Sequence, residues 1–352
     1  MTDQVVTVNT LERPAAALRG LRDTGAARRP HWAPLDGLRG IAILMVVTIH
    51  FWAHSTPGGT GFPVVLSAGP YQFNLERLFR AGAMGVPMFF VLSGFLLWYP
   101  YARAIRERSV RQPAAMFLTR RVRRIMPAFL FFSGVYLLAA WVFGKNAHGA
   151  PLSVTNILCN LLFLAPAAYP FRGDVTPDLM PGTWSLTPEI WFYALLPVFA
   201  LLSANRVIRF ALLTALLLIG TSYRWYVAAD PRDVVQLNPL GCIHAFAWGM
   251  LAAYVAVRPR PRALGHPATA YVGAALLITS AAYQGFLLGF IDPYSQVSFA
   301  TALIILSATT TESLVSSVCN TPVLRFIGRV SYSLFLCHIF VVWYVFTVVW
   351  RV

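Results

Sequence analysis

The stretch "LDGLRGIAILMVVTIHFWAH", residues 35–54, decides the fold. A helix of about 20 apolar residues crosses the ~30 Å hydrocarbon core of a bilayer, and this segment has that length. Its ionisable residues are Asp36, Arg39, His50 and His54, and nearly everything between them is apolar. Read as a membrane span, it turns the rest of the chain into a series of similar runs. It also raises a chemical question, because an apolar helix is holding a guanidinium and an imidazole eleven residues apart.

The composition agrees with a membrane protein. Of 352 residues, 57% are hydrophobic and 12% charged, and the mean hydropathy is +0.62. A water-soluble domain needs more charge to cover its surface. The formal net charge of +15 points first to nucleic acid. However, the basic residues cluster between apolar runs and do not line one face, as the positive-inside rule requires and nucleic-acid binding does not. Lys145 is the sole lysine, and the arginine bias fits a high-GC bacterial genome. The cysteines Cys159, Cys242, Cys319 and Cys337 are scattered without a CxxC, which indicates neither a disulfide framework nor a thiolate metal site.

Spans are expected at 35–54, 82–101, 125–143, 184–203, 210–228, 238–257, 268–288, 296–314 and 331–350. Residues 1–34 read as a disordered cytoplasmic tail and 35–352 as one membrane domain. The arginine clusters fall before the first span, at 103–124, at Arg206 and Arg209, at 258–262, and at Arg325 and Arg329. With the N-terminus inside, each cluster lands in the cytoplasm of a multi-pass plasma-membrane protein. This holds only if "SVTNILCNLLFLAPA" (153–167) does not cross. That segment is short, contains Asn156 and Asn160 and ends near Pro166, so it reads as re-entrant or interfacial. The fold class is therefore all-α: a polytopic bundle of about nine spans plus this segment.

Ionisable groups inside spans are functional suspects. Arg39 lies one turn from the inner end and could also snorkel to the surface. His50 has no such route, since it is about 22 Å along the helix from Leu35. A neutral, hydrogen-bonded imidazole remains the plain alternative. His54 at i+4 suggests a metal pair, but no third ligand is near in sequence, and no metal is expected. In "PGTWSLTPEIWFYALLPVFALL" (181–202), Glu189 comes out at the same depth as His50 by helical rise. It could orient the imidazole for general-base chemistry, or merely cap the first turn near Thr183. His244 reads as a packed histidine. In "FLTRRVRRIMP", Arg121 and Arg124 share a face at i and i+3. They are placed to clamp a phosphate at a helix N-terminus, or serve topogenesis alone.

These residues together resemble the acyltransferase 3 family of integral-membrane enzymes. The matches run in order: "LDGLRGIAILMVVTIH" with Arg39 and His50, then "GVPMFFVLSGFLL" with Ser93 and Gly94, then "RRVRRIMP" with Arg121, Arg124 and Pro127. They continue with "WSLTPEIWFYALLP", carrying Trp184, Ser185, Glu189, Phe192 and Tyr193, and "FIGRVSYSLFLCH", carrying Ser331, Tyr332, Ser333 and His338. The resemblance implies an acyl-CoA donor, commonly acetyl-CoA, bound at Arg121 and Arg124, with His50 catalytic and assisted by Arg39. Trp184, Ser185, Tyr193, Ser331, Tyr332 and His338 are possible supporting residues.

The expected function is transfer of an acyl group to a hydroxyl of a sugar, glycan or glycosylated metabolite. His50 acts as general base or as transient acyl acceptor, and the sequence leaves both open. The expected partners are that acceptor and the lipid bilayer, with no nucleic acid. A secondary transporter for a small polar or anionic metabolite is the rival reading, although no inverted repeat is visible. The family normally has about ten helices. This chain is expected to lack the closing one and the esterase-like domain that members often carry.

Overall fold

The computed structural model describes residues 32–56, 61–68, 71–109, 113–143, 152–176, 179, 182–228, 238–259, 262–283 and 292–344. Residues 1–31 of the expected tail, and 345–352 at the end of the last span, lie outside these. Seven helices among the described residues are long and apolar enough to cross a membrane, so the architecture is the expected polytopic helical bundle.

The first span is α1 (Ala33–His54), with Pro34 in its first turn and Asp36 following. Proline suits that position because its missing N–H has no partner there, and the acid favours the positive end of the helix dipole. A hairpin of β1 (Val65–Ala68) and β2 (Tyr71–Asn74) follows, paired antiparallel in the register Val65↔Asn74 to Ala68↔Tyr71. No strand was expected here, since hydropathy alone does not register so short a segment. Next come α2 (Glu76–Arg80), a 3-10 turn (Ala81–Met84) and the central α3 (Gly85–Glu107). Phe95 and Trp98 of α3 are fully buried.

The third helix to cross, α4 (Ala114–Phe143), has 30 residues and rises about 45 Å, well beyond the hydrocarbon core. It begins eleven residues before the expected span, so Arg120 to Arg124 sit within the helix and not ahead of it. The segment read as re-entrant is α5 (Val154–Leu161) and a one-turn α6 (Ala165–Ala168). Eight residues rise only about 12 Å, too little to cross. Its two asparagines hold a buried polar knot. Asn160 Nδ2 donates to Asn156 O (2.9 Å) and Thr176 O (2.9 Å), while Thr176 N donates to Asn156 Oδ1 (3.0 Å).

The remaining spans are α7 (Leu186–Leu202, entered through a 3-10 turn at Thr183–Ser185), α8 (Arg206–Ala228) and α9 (Ile243–Ala256, entered at Pro239–Cys242). After a one-turn α10 (Arg262–Gly265) come α11 (Pro267–Tyr283), of 17 residues, and α12 (Pro293–Ala308), a shorter apolar helix. Residues 284–288 of the span expected at 268–288 lie outside the described residues. The span expected at 296–314 stops at Ala308. Residues 314–319 form a separate helix, α13 (Leu314–Cys319), started by a capping box between Ser313 and Ser316. Finally α14 (Pro322–Tyr344) begins nine residues before the expected span and takes Arg325 and Arg329 into its first turns.

Helix directions follow from pairs of contacts. α8 and α9 run antiparallel, because Gly220 lies against His244 while Arg209 stacks on Tyr254. α11 and α12 are antiparallel as well: Gln296 bonds Leu276 O, and Ser307 bonds His266 O. In contrast, α1 and α14 run parallel. Gly40 meets Gly328 at their crossing, and His50 meets His338 ten residues further along each. If the nine segments alternate, the first and ninth are parallel only when 153–167 does not cross.

Candidate functional site

Two glycines set the site's geometry. A Cβ on Gly40 would stand 2.2 Å from Leu324 O, and one on Gly328 would stand 1.7 Å from Asp36 O. Both obstacles are backbone, so only glycine lets α1 and α14 approach this closely, as in small-residue packing of membrane helices. The contact fixes both the distance and the rotation of the two helices. About 15 Å beyond it, at 1.5 Å per residue, the helices bring two imidazoles together. His338 Nε2 lies 3.4 Å from His50 Nδ1, and the rings meet edge-on with centroids 5.1 Å apart.

The surrounding bonds assign the tautomers. His50 Nδ1 lies 2.7 Å from Val46 O. A carbonyl only accepts, so Nδ1 carries the proton and neutral His50 has its lone pair on Nε2. His338 Nδ1 is likewise 2.7 Å from Phe335 O and 3.2 Å from Leu334 O, which leaves its lone pair on Nε2. His54 Nδ1 bonds His50 O at 2.9 Å. Beside His338, Gly182 holds a left-handed backbone (φ 79°) against Ile339. Trp184 and Ser185 follow in this turn, and Ser185 Oγ donates to Gly182 O at 3.3 Å.

A second group lies nearer the arginine-rich ends of the helices. Glu189, on α7, accepts from Ser93 Oγ of α3 at 2.9 Å and from the Tyr193 hydroxyl one turn along its own helix. Arg39 interacts electrostatically with Arg124, Asp36, Glu189 and Tyr193. The Arg121 guanidinium lies over the rings of Phe117 (5.6 Å) and Tyr193 (5.7 Å), a cation–π arrangement that holds it against the bundle. Tyr332 donates to Ile125 O at 2.8 Å and so ties α14 to α4 beside Arg124. Three guanidiniums face two carboxylates here, Asp36 and Glu189, so the group is net positive and suited to an anion.

The structure thus brings together Arg39, Arg121, Arg124, Glu189, Tyr193 and Tyr332 at one level, and His50 with His338 at another. Glu189 is hydrogen-bonded to Ser93 and Tyr193. The expectation that Glu189 shares the depth of His50 and orients it is not met: Glu189 lies with Arg39 and Tyr193, about three turns of α1 away from His50. α4 begins at Ala114, so Arg121 lies two turns inside it, and the helix N-terminus does not assist a clamp there. Arg124 is exposed and Arg121 half-buried. Ser331 is buried. Ser93, buried and bonded to Glu189, joins the site from α3; its signal in the sequence is a hydroxyl within a long apolar run. His244 is fully buried, held against Gly220 near the Arg224–Asp292 ion pair. Among the described residues, no group of three or more His, Cys, Asp or Glu side chains is arranged to hold a metal.

Comparison with known proteins places this geometry. Residues 32–352 match a family described as an acyltransferase domain, so the bundle and its polar groups belong to a membrane-embedded acyltransferase. The chain is a member of the acyltransferase 3 family. BcsY of Komagataeibacter xylinus, whose name provisionally describes a membrane-bound transacylase, is 27% identical over 311 residues, 86% of this chain and 71% of its own. The peptidoglycan O-acetyltransferase OatA of Listeria monocytogenes is 26% identical over 344 residues, covering 90% of this chain and 50% of its own. This chain therefore spans half of that relative's length. The exopolysaccharide production protein ExoZ of Rhizobium meliloti is 35% identical over 116 residues, 33% of each chain. No solved structure matches.

Proposed function

We propose that this acyltransferase moves an acyl group, most simply acetyl, from acyl-CoA to a hydroxyl of a sugar, glycan or glycosylated metabolite. The observation that carries the reading is the His50 imidazole, whose Nδ1 is bonded to Val46 O so that Nε2 bears the lone pair. Nε2 takes the proton of the acceptor hydroxyl as that oxygen attacks the thioester carbonyl. A C–O bond forms, the C–S bond breaks, and the proton passes from Nε2 to the departing thiolate. The same atom would carry the acyl group if transfer went through an acyl-histidine.

The donor's phosphates dock on Arg121 and Arg124, with Arg39 adding positive charge. Its extended arm then leads the thioester along α1 towards His50, about 16 Å beyond Arg39. Glu189, buttressed by Ser93 and Tyr193, holds Arg39 in place at the arginine level. The protein lies in the plasma membrane with its N-terminus in the cytoplasm, so the donor enters from the arginine-rich side. The names of relatives that act on peptidoglycan or serve exopolysaccharide production support a glycan acceptor.

The test is mass spectrometry of glycans, lipids and small metabolites from cells expressing the wild-type chain or the His50→Ala variant. An acetyl-bearing product that appears with wild type and not with the variant is the expected result. Its presence at equal level in both would overturn the reading.

A further inference from the structure

His338 is 288 residues from His50 in sequence, on the other helix of the glycine-packed pair. Its Nδ1 is committed to the carbonyls of Phe335 and Leu334. Its remaining nitrogen, Nε2, is therefore a pure acceptor and is aimed at the protonated Nδ1 of His50. A separation of 3.4 Å is long for a hydrogen bond at rest. Such contacts commonly tighten once a catalytic group becomes charged.

We infer that His338 is the positioning residue of His50: its neutral imidazole accepts from His50 Nδ1–H and stabilises the imidazolium that forms when Nε2 takes a proton. The inference rests on the reading of His50 as the reacting base. Many acyl-transfer centres place a carboxylate in this role. A carboxylate at this depth would carry the desolvation penalty of a buried charge throughout the cycle. An imidazole is neutral at rest and polarises only while His50 is charged. Val46 O anchors the His50 ring from within its own helix. His338 adds a second acceptor from another helix and thereby limits how the ring can swing. His54, whose Nδ1 is bonded to His50 O, lies one turn further along α1.

The experiment compares His338→Gln with His338→Phe in the purified full chain. Gln Oε1 is the same number of bonds from Cα as His Nε2, so it restores an acceptor there, whereas Phe keeps the volume and removes the acceptor. The probes are acetyl-CoA with chitotriose, read by release of CoA thiol and by acetylated product. His338→Phe should lower kcat about tenfold or more with the acetyl-CoA KM within about twofold, as expected for a contact made in the transition state. His338→Gln should recover most of the loss.

A second readout needs no turnover. In 15N-histidine-labelled protein without substrate, the His50 Nδ1–H resonance, assigned by its absence in His50→Ala, should shift in His338→Phe and return towards wild type in His338→Gln. An unchanged resonance in His338→Phe would overturn the inference, as would a Gln variant no closer to wild type than Phe while both remain folded by thermal unfolding. Activity surviving in His50→Ala sinks the base reading itself. An inactive His50→Ala beside a fully active His338→Phe sinks only the positioning role.

Discussion

An imidazole reacts through whichever nitrogen lacks a proton, and its other nitrogen decides which one that is. In His50 the deciding contact is Val46 O at 2.7 Å. His50→Ala should therefore lower acyl transfer by about 10²–10⁴-fold, the range for loss of a general base, while the protein still inserts. Residual turnover near wild type would exclude it as the base. Arg121→Ala with Arg124→Ala should raise the KM for acetyl-CoA about tenfold or more, because a charge-assisted contact to a remote phosphate is mainly binding energy. The acceptor KM should hold. Misinsertion of the double variant would mark the cluster as topogenic. Arg39, His50 and Glu189 were legible in the sequence because an ionisable side chain stands out in an apolar helix. What joins Glu189 to Ser93 and Tyr193, or His50 to His338, was not. A count of residues gives depth only as well as the helix ends are known, which is why Glu189 came out level with His50. It gives neither the direction in which a side chain points nor any relation between two distant helices.

At the scale of elements, the crossing of α1 and α14 positions the histidines. A side chain at 328 would meet Asp36 O, a backbone atom that cannot turn aside. Gly328→Leu should therefore part the helices and draw His338 away from His50. Overpacking of this kind destabilises by about 1–3 kcal/mol. The expected outcome is a lower thermal midpoint in detergent together with lost transfer. A variant with wild-type stability and activity would refute the role given to the crossing. Among the described residues, each of the nine expected spans contains a helix, although that at 296–314 stops at Ala308 and seven helices are long and apolar enough to cross. The helix ends were not foreseen, since a hydropathy window stops where arginines begin. α4 starts at Ala114 and α14 at Pro322 because a helix continues into the interface as long as each backbone group finds its partner. In 153–167, Asn156 and Asn160 were read as interruptions of an apolar run. They instead knit α5 to Thr176.

For the whole molecule, the parallel course of α1 and α14 bears on sidedness. If the N-terminus is in the cytoplasm, as proposed, α14 runs outward. Alkaline phosphatase fused after Val352 should be active and green fluorescent protein there dark. A bright fluorescent fusion would mean that the N-terminal end of α1 lies outside, like that of α14, because α1 and α14 run parallel. The fold class was legible at this scale from hydropathy and arginine placement, because the bilayer constrains helix length and loop charge so strongly. The hairpin at 65–74 escaped because nothing in the bilayer constrains a loop outside it.

The pairing of His50 with His338 also has a consequence for biogenesis. A ribosome adding about 5–20 residues per second needs roughly 15–60 s to travel from one codon to the other, since 288 residues separate them. Throughout that interval a half-made chain already exposes its first helix to lipids and glycans rich in hydroxyls. It has no second imidazole to complete the pair. On the role inferred for His338, a chain abandoned before α14 is made holds His50 without its positioning partner.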